Sequence, residues 1–150
     1  MKRAHPVVLG IAVGAVSILG VAAMADALEV RITTIRATER GPSDAQLVPF
    51  RPRLRRLVGY RSYQVVDEER RVCRWQIAAA FPIPGGRELH VVPKGMRDQA
   101  IVMQVKLLDG ARALVDTDVR LQNKGVMLFG VDQNASVADG ALIIMLSAEE

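Results

Sequence analysis

The chain has 150 residues, half of them apolar but only 4% aromatic, so any core must be built from aliphatic side chains. Charged residues make up 24%, close to the globular average, which argues against wholesale disorder. A single cysteine excludes an internal disulfide, and no CxxC, HExxH, GxSxG or glycine-rich phosphate loop is present.

The first 27 residues have the three-part layout of a secretory signal. Met1 to His5 form a basic n-region, Val7 to Val21 carry no charge, and Ala23-x-Ala25 and Ala25-x-Ala27 offer small-residue cleavage sites. The 15-residue apolar run is short for a membrane span, which needs about 20. The expectation is a signal peptide over 1–25, cleaved to release a single domain over 26–150, with an uncleaved anchor helix as the competing reading. No cysteine stands at the end of the apolar run to take a lipid, so lipoprotein attachment is not expected. Removing 1–25 takes away Lys2 and Arg3 and leaves 18 basic against 16 acidic residues, a net charge of +2. At that charge nucleic acid is not implied as a partner, no membrane span remains, and a periplasmic or extracellular location is expected.

Leu28 to Thr38 is rich in β-branched residues and predicts a strand. Val30 and Ile32 fall on one phase and Ile35 and Ala37 on the other, which a bulge near Thr33-Thr34 would reconcile. Asp44 to Gly59 is the helical candidate, with Leu47, Phe50, Leu54 and Leu57 on one face. Pro49 and Pro52 forbid a continuous helix, so an irregular turn followed by a short helix from Pro52 is predicted, with Asp44 as N-cap and Gly59 as terminator.

From Tyr60 the period becomes two. Strands are predicted over 60–66, 71–81, 87–92, 99–108, 113–121, 126–131 and 141–147. They are separated by a polar turn at Asp67 to Arg70, a break at Pro82 to Gly86, loops at Lys94 to Asp98 and Asp132 to Gly140, and a turn at Asn123 to Gly125. Asp109-Gly110 predicts a type I′ hairpin. Leu114 is an apolar exception in the alternation that faces Ala113, Val115, Thr117, Val119 and Leu121 inward. The continuous apolar runs 126–131 and 141–147 read as strands buried on both faces or central in a sandwich. The fold class expected is mainly β: an antiparallel sandwich, or partly open barrel, of about eight strands with one short N-terminal helix, preceded by the signal helix.

The residues available for chemistry are few. Cys73 falls on the apolar phase with Trp75 and Ile77, and His90 on the polar phase of another strand, so a buried thiol and a surface imidazole are expected. Asp132 to Asp139 has oxygen side chains at alternate positions, but it lacks the glycine and glutamate of a calcium-binding EF-hand loop. Asn134-Ala-Ser136 within it matches a glycosylation sequon. Asp116 and Asp118 lie on one strand face, a spacing that would serve a carboxylate-dependent hydrolase only if a pocket converged on them. No cofactor and no metal is expected.

The clearest asymmetry is basic. Arg31 to Arg74 contains eleven arginines against five carboxylates, a net +6, whereas residues 75–150 carry seven basic and nine acidic residues, a net −2. Arg51, Arg53, Arg55, Arg56 and Arg61 surround the helical candidate and define a candidate anion-binding patch.

Taken together, Asp44-x-x-Leu47, Leu54-x-x-Leu57, Tyr60-Arg-Ser-Tyr63 and the hairpins that follow resemble a group of small exported bacterial β-rich proteins. The resemblance spans most of the mature chain and implies a fold but no activity. Val126 to Gly130 and Gly140 to Leu146 are also similar to the closing hairpins of secretin-type outer-membrane channels over about 25 residues, as apolar hairpins converge. The function expected is a non-enzymatic envelope or secreted binding protein contacting an envelope polymer, an anionic surface or another envelope protein. The alternatives are an accessory subunit of a secretion or pilus-like apparatus and a small hydrolase using Asp116 and Asp118.

Overall fold

The computed structural model describes residues 27–131 and 140–150. The expected signal peptide, the Asp132 to Asp139 loop and the Asn134 sequon lie outside the described residues. Eight strands form two four-stranded antiparallel sheets. They are β1 (Ala27–Thr38), β2 (Ser62–Arg74), β3 (Ala79–Ile83), β4 (Arg87–Arg97), β5 (Ala100–Asp109), β6 (Arg112–Gln122), β7 (Val126–Val131) and β8 (Ala141–Glu149). Sheet A has the order β2-β1-β8-β7 and sheet B the order β3-β4-β5-β6. A 3-10 turn (Ala45–Phe50) and a short helix α1 (Arg51–Leu57) lie between β1 and β2. The architecture is a β-sandwich.

The sheets share one apolar core. Leu28, Val30 and Ile32 from β1 and Leu142, Ile144 and Leu146 from β8 meet Leu89 and Val91 from β4 and Ile101, Met103, Val105 and Leu107 from β5. These are the alternate residues of their strands, because strand side chains point to opposite faces with period two. Sheet B turns its other face to solvent, and its strands read as apolar-polar alternation.

Sheet A is different. Ile35 and Ala37 from β1, Tyr63 from β2 and Ile143 from β8 are buried on its outer face beneath Leu47 and Leu54 of the helical segment. The phase change within β1 is therefore not a bulge in that strand. Its pairing with β8 runs unbroken from Glu29↔Glu149 to Ala37↔Ala141. The buried phase switches along the strand, from Leu28, Val30 and Ile32 facing the sandwich core to Ile35 and Ala37 facing the helical cover with Arg36 exposed, and only Ile32 to Ile35 are buried consecutively. The irregularity belongs to β2, where Thr34 faces Asp67 and Ile35 faces Val65, leaving Val66 as the extra residue.

Several boundaries depart from the sequence reading. Asp67 to Arg70 is not a turn but the middle of the 13-residue β2. An edge strand tolerates charge on both phases, and the charges here pair: Arg31 with Glu68 at 3.5 Å, Arg70 with Glu68 at 3.5 Å and Glu29 at 3.9 Å, and Arg71 with Glu69 at 2.6 Å. The expected strand 71–81 is divided, because the chain leaves sheet A after Arg74, turns with Gln76 at positive φ, and enters sheet B at Ala79. Trp75 is consequently half-buried and Ile77 is 56% exposed, while Cys73 stays in the core.

β3 includes Pro82, which an edge strand accepts because its missing donor can face solvent. Lys94 to Arg97 continues β4 past a bulge at Lys94 instead of looping, and Asp98 and Gln99, both at positive φ, form the hairpin. At the next hairpin Asp109 pairs with Arg112, and only Gly110 of the two central residues has positive φ, as in a type II′ rather than a type I′ turn. In β6 the register slips so that Leu114 is the unpaired bulge residue, which explains its break in alternation and leaves Ala113 exposed. The apolar run 126–131 proves to be an edge strand, half-buried over most of its length, whereas 141–147 lies in the central β8.

Candidate functional site

The arginine-rich segment covers one half of the outer face of sheet A, and its shape follows from its two prolines. Pro49 sits inside the 3-10 turn, where it removes one i→i−3 donor, and Pro52 in the first turn of α1, where the lost donor has no helical partner anyway. Asp44 does not cap through its side chain. Its backbone N–H instead donates to the Tyr63 carbonyl at 2.8 Å, and its carbonyl accepts from the Leu47 N–H at 3.1 Å. At the other end the Val58 N–H closes the helix on the Leu54 carbonyl at 3.0 Å with Val58 extended, so termination does not use Gly59 in a left-handed conformation.

The segment is tied to β2 by side chains. The Tyr63 hydroxyl donates to the Val58 carbonyl at 2.7 Å, the Tyr63 N–H donates to Ser43 Oγ at 3.3 Å, and Ser62 Oγ and Gln64 Nε2 donate to the Pro42 carbonyl at 3.1 and 2.8 Å. Leu54 is fully buried and Leu47 nearly so, and Phe50, Val58 and Tyr60 pack beside them half-buried. Leu57, expected in the same stripe, is 43% exposed at the helix end.

With Leu54 fixed inward, helical geometry distributes the arginines onto two shoulders. Arg51 and Arg55, four residues apart, lie toward Tyr63. Burial pushes the Tyr63 phenol above its ordinary range, while the positive charges of Arg55 and Arg51 oppose that rise. Arg51 is half-buried and donates from Nη2 to Ser43 Oγ at 3.4 Å. Arg53 and Arg56, three apart, lie toward β7, where with Leu57 and Leu128 they line a shallow depression. Arg53 Nη2 donates to the Val126 carbonyl at 2.8 Å, so this cation reaches the backbone of the edge strand. Arg61 follows in the bend before β2, with Arg55 and Arg56 equally exposed to solvent.

All five arginines of the predicted patch therefore lie on or beside one helical cover. None of them enters an ion pair among the described residues, whereas Arg31 of β1, Arg70 and Arg71 of β2 and Arg87 of β4 do.

Beside this cover the outer face of sheet A is open. Arg31, Lys124, Val126 and Ser147, with Glu29 and Glu149, line a second depression next to the first. Lys124 and Arg31 were not singled out from the sequence. They join the patch only because β1, β8 and β7 are neighbours, with Arg31 and Val126 both opposite Ser147.

The other candidate residues are dispersed. Cys73 is buried in the sandwich core, where burial raises its thiol pKa against the smaller opposing effect of Arg71. His90 lies on the outer side of sheet B, 2.9 Å from Glu88. Asp116 and Asp118 stand exposed on β6, with Asp116 accepting from Gln104 at 3.3 Å and 3.9 Å from Lys106. The depressions beside the helical segment lie on sheet A, on the opposite side of the sandwich from those aspartates. Among the described residues no cluster of three or more His, Cys, Asp or Glu could hold a metal ion, and no helix is long and apolar enough to cross a membrane. No family model, curated protein or solved structure matches the chain.

Proposed function

We propose that this protein is an exported, non-catalytic binding module that presents the cover of sheet A to an anionic partner outside the cytoplasm. The observation that carries the reading is the set of arginines at 51, 53, 55, 56 and 61 on one helical segment, with no carboxylate partner among the described residues. Long cationic side chains on the shoulders of a packed helix cover apolar surface with their stems and hold their guanidinium groups in water, where polyanions meet them. Export rests on the signal layout of residues 1–25. N-terminal sequencing of the protein recovered from periplasm or medium is expected to begin at Asp26 or Leu28. Intact Met1 in a membrane fraction would instead favour an anchored form.

Binding is tested with two anionic probes, phosphatidylglycerol vesicles and soluble poly-L-glutamate, each against a neutral counterpart. Affinity for at least one anionic probe is expected, weakening as salt rises to about 0.5 M because the Debye length then falls to a few ångströms. A preference for vesicles points to a lipid headgroup and a preference for poly-L-glutamate to an acidic polymer. Absence of salt-sensitive affinity for both rejects the reading.

A further inference from the structure

Four strands stand at the edges of the two sheets, and three of them are protected. β2 carries Asp67, Glu68, Glu69, Arg70 and Arg71 and is kinked at Val66. β3 is five residues long and contains Pro82. β6 carries Arg112, Asp116, Asp118 and Arg120 and is bulged at Leu114. Charge, proline, shortness and bulges are the devices by which edge strands avoid pairing with other chains. β7 is nearly as short as β3, but its six residues, Val126 to Val131, include no charge and no proline, and its register with β8 has no bulge. Among the described residues β8 is its only strand partner, and apart from the Val126 carbonyl, which accepts from Arg53 Nη2 at 2.8 Å, its second edge has no strand to pair with.

We infer that the free edge of β7 accepts an extended peptide segment as a fifth strand of sheet A, and that this segment alternates apolar with acidic residues. The alternation follows from the two sides of β7. On the inner side Met127 and Phe129 are half-buried at the rim of the sandwich core, so an added strand gains by placing apolar side chains next to them. On the outer side Leu128 adjoins Arg53 and Arg56, while Val126 lies in a depression where Lys124 and Arg31 are balanced by Glu29 and Glu149, so the cationic side of the edge is at Leu128. Carboxylates on that phase would meet the cationic shoulder of α1, whose Arg53 already reaches the β7 backbone.

The same charges disfavour a second copy of this chain. Antiparallel pairing of β7 with β7 would bring the Arg53 and Arg56 shoulders of two copies together, and like charges across an interface repel. Main-chain hydrogen bonds would supply affinity and the alternating side chains specificity, as in other strand-addition complexes. The inference rests on the anion-facing reading for Arg53 and Arg56 and adds the partner's class and its backbone geometry.

The test uses the mature protein and an eight-residue peptide alternating Val and Glu. Its controls are the Val/Lys analogue and two versions of the acidic peptide N-methylated on alternate residues, one for each backbone edge. The acidic peptide is expected to bind, to slow hydrogen exchange at amides within 126–131, and to weaken by about tenfold or more for the R53E/R56E variant, while the Val/Lys analogue does not bind. One N-methylated version should lose binding, since it keeps every charge and removes the edge hydrogen bonds. If both N-methylated versions bind as well as the parent, or no β7 amide gains protection, strand addition is wrong although the anion-facing reading stands. If poly-L-glutamate and anionic vesicles also fail to bind, both fall together. A dimer formed through β7 without peptide would likewise overturn the assignment of an acidic partner.

Discussion

The two sheets each hold four antiparallel strands, yet they differ in how many faces they bury. Sheet B contributes one face to the core and exposes the other, so Ile101, Met103, Val105 and Leu107 are buried while Gln104 and Lys106 between them are not. Sheet A is covered twice, by sheet B on one side and by the arginine-rich segment on the other, so β8 buries consecutive residues from Leu142 to Ile144. The difference teaches that the helical segment is part of the packing of sheet A. It carries the patch arginines because a surface cover must turn polar residues outward once Leu47 and Leu54 are inward.

The largest expected effect breaks this contrast at the outer faces. Ile143→Ala removes a fully buried side chain between β8 and the helical cover and is expected to cost about 3 kcal/mol, within the range for large-to-small core changes. Val102→Ala, on the half-buried outer face of sheet B, should cost about 1 kcal/mol or less. Urea denaturation of both variants checks the pair. Equal losses would mean that the segment does not pack on sheet A.

A smaller effect concerns pH, and it too belongs to sheet A. Cys73 and Tyr63 lie on β2, and burial raises both above their ordinary values of 9.0 and 10.0. A raised folded-state pKa means that the unfolded chain loses its proton first. The associated stability is therefore complete below the unfolded pKa and is lost as pH climbs through the folded one. The urea midpoint is expected to decline above about pH 9 for the wild type, and less steeply for a C73S/Y63F double variant measured against its own neutral-pH value. Identical alkaline slopes would show that neither burial is felt in titration.

The same contrast explains what the sequence disclosed. Strand phases in β4 and β5 and the inward set Leu89, Val91, Ile101, Met103, Val105 and Leu107 were legible, because a one-faced sheet writes its burial as alternation. β1 was ambiguous, since its polar phase changes from Glu29 and Arg31 to Arg36 where the cover passes from sheet B to the helical segment. Asp67 to Arg70 read as a turn because nothing local reveals that a charged stretch lies along a sheet edge with pairing partners at Glu29 and Arg31. Leu114 was visible as an anomaly, but its cause, a bulge, depends on register with β5. The patch arginines were legible as a cluster. Their division into Arg51/Arg55 and Arg53/Arg56 shoulders, and their continuity with Lys124 and Arg31, needed the order of strands in sheet A.

The central claim is that the sheet A side, rather than net charge, carries the binding. It is tested by comparing two variants with matched charge change, R53E/R56E/R61E on the helical cover and R97E/R112E/R120E on sheet B, each measured against the wild type for salt-sensitive affinity to whichever anionic probe the wild type binds. Exposed charges contribute little to stability, so both variants should fold as the wild type does, with changes of about 0.5 kcal/mol or less per site. The account predicts that the cover variant loses binding while the sheet B variant keeps most of it. Equal loss in both variants, or undiminished binding by the cover variant, would contradict it.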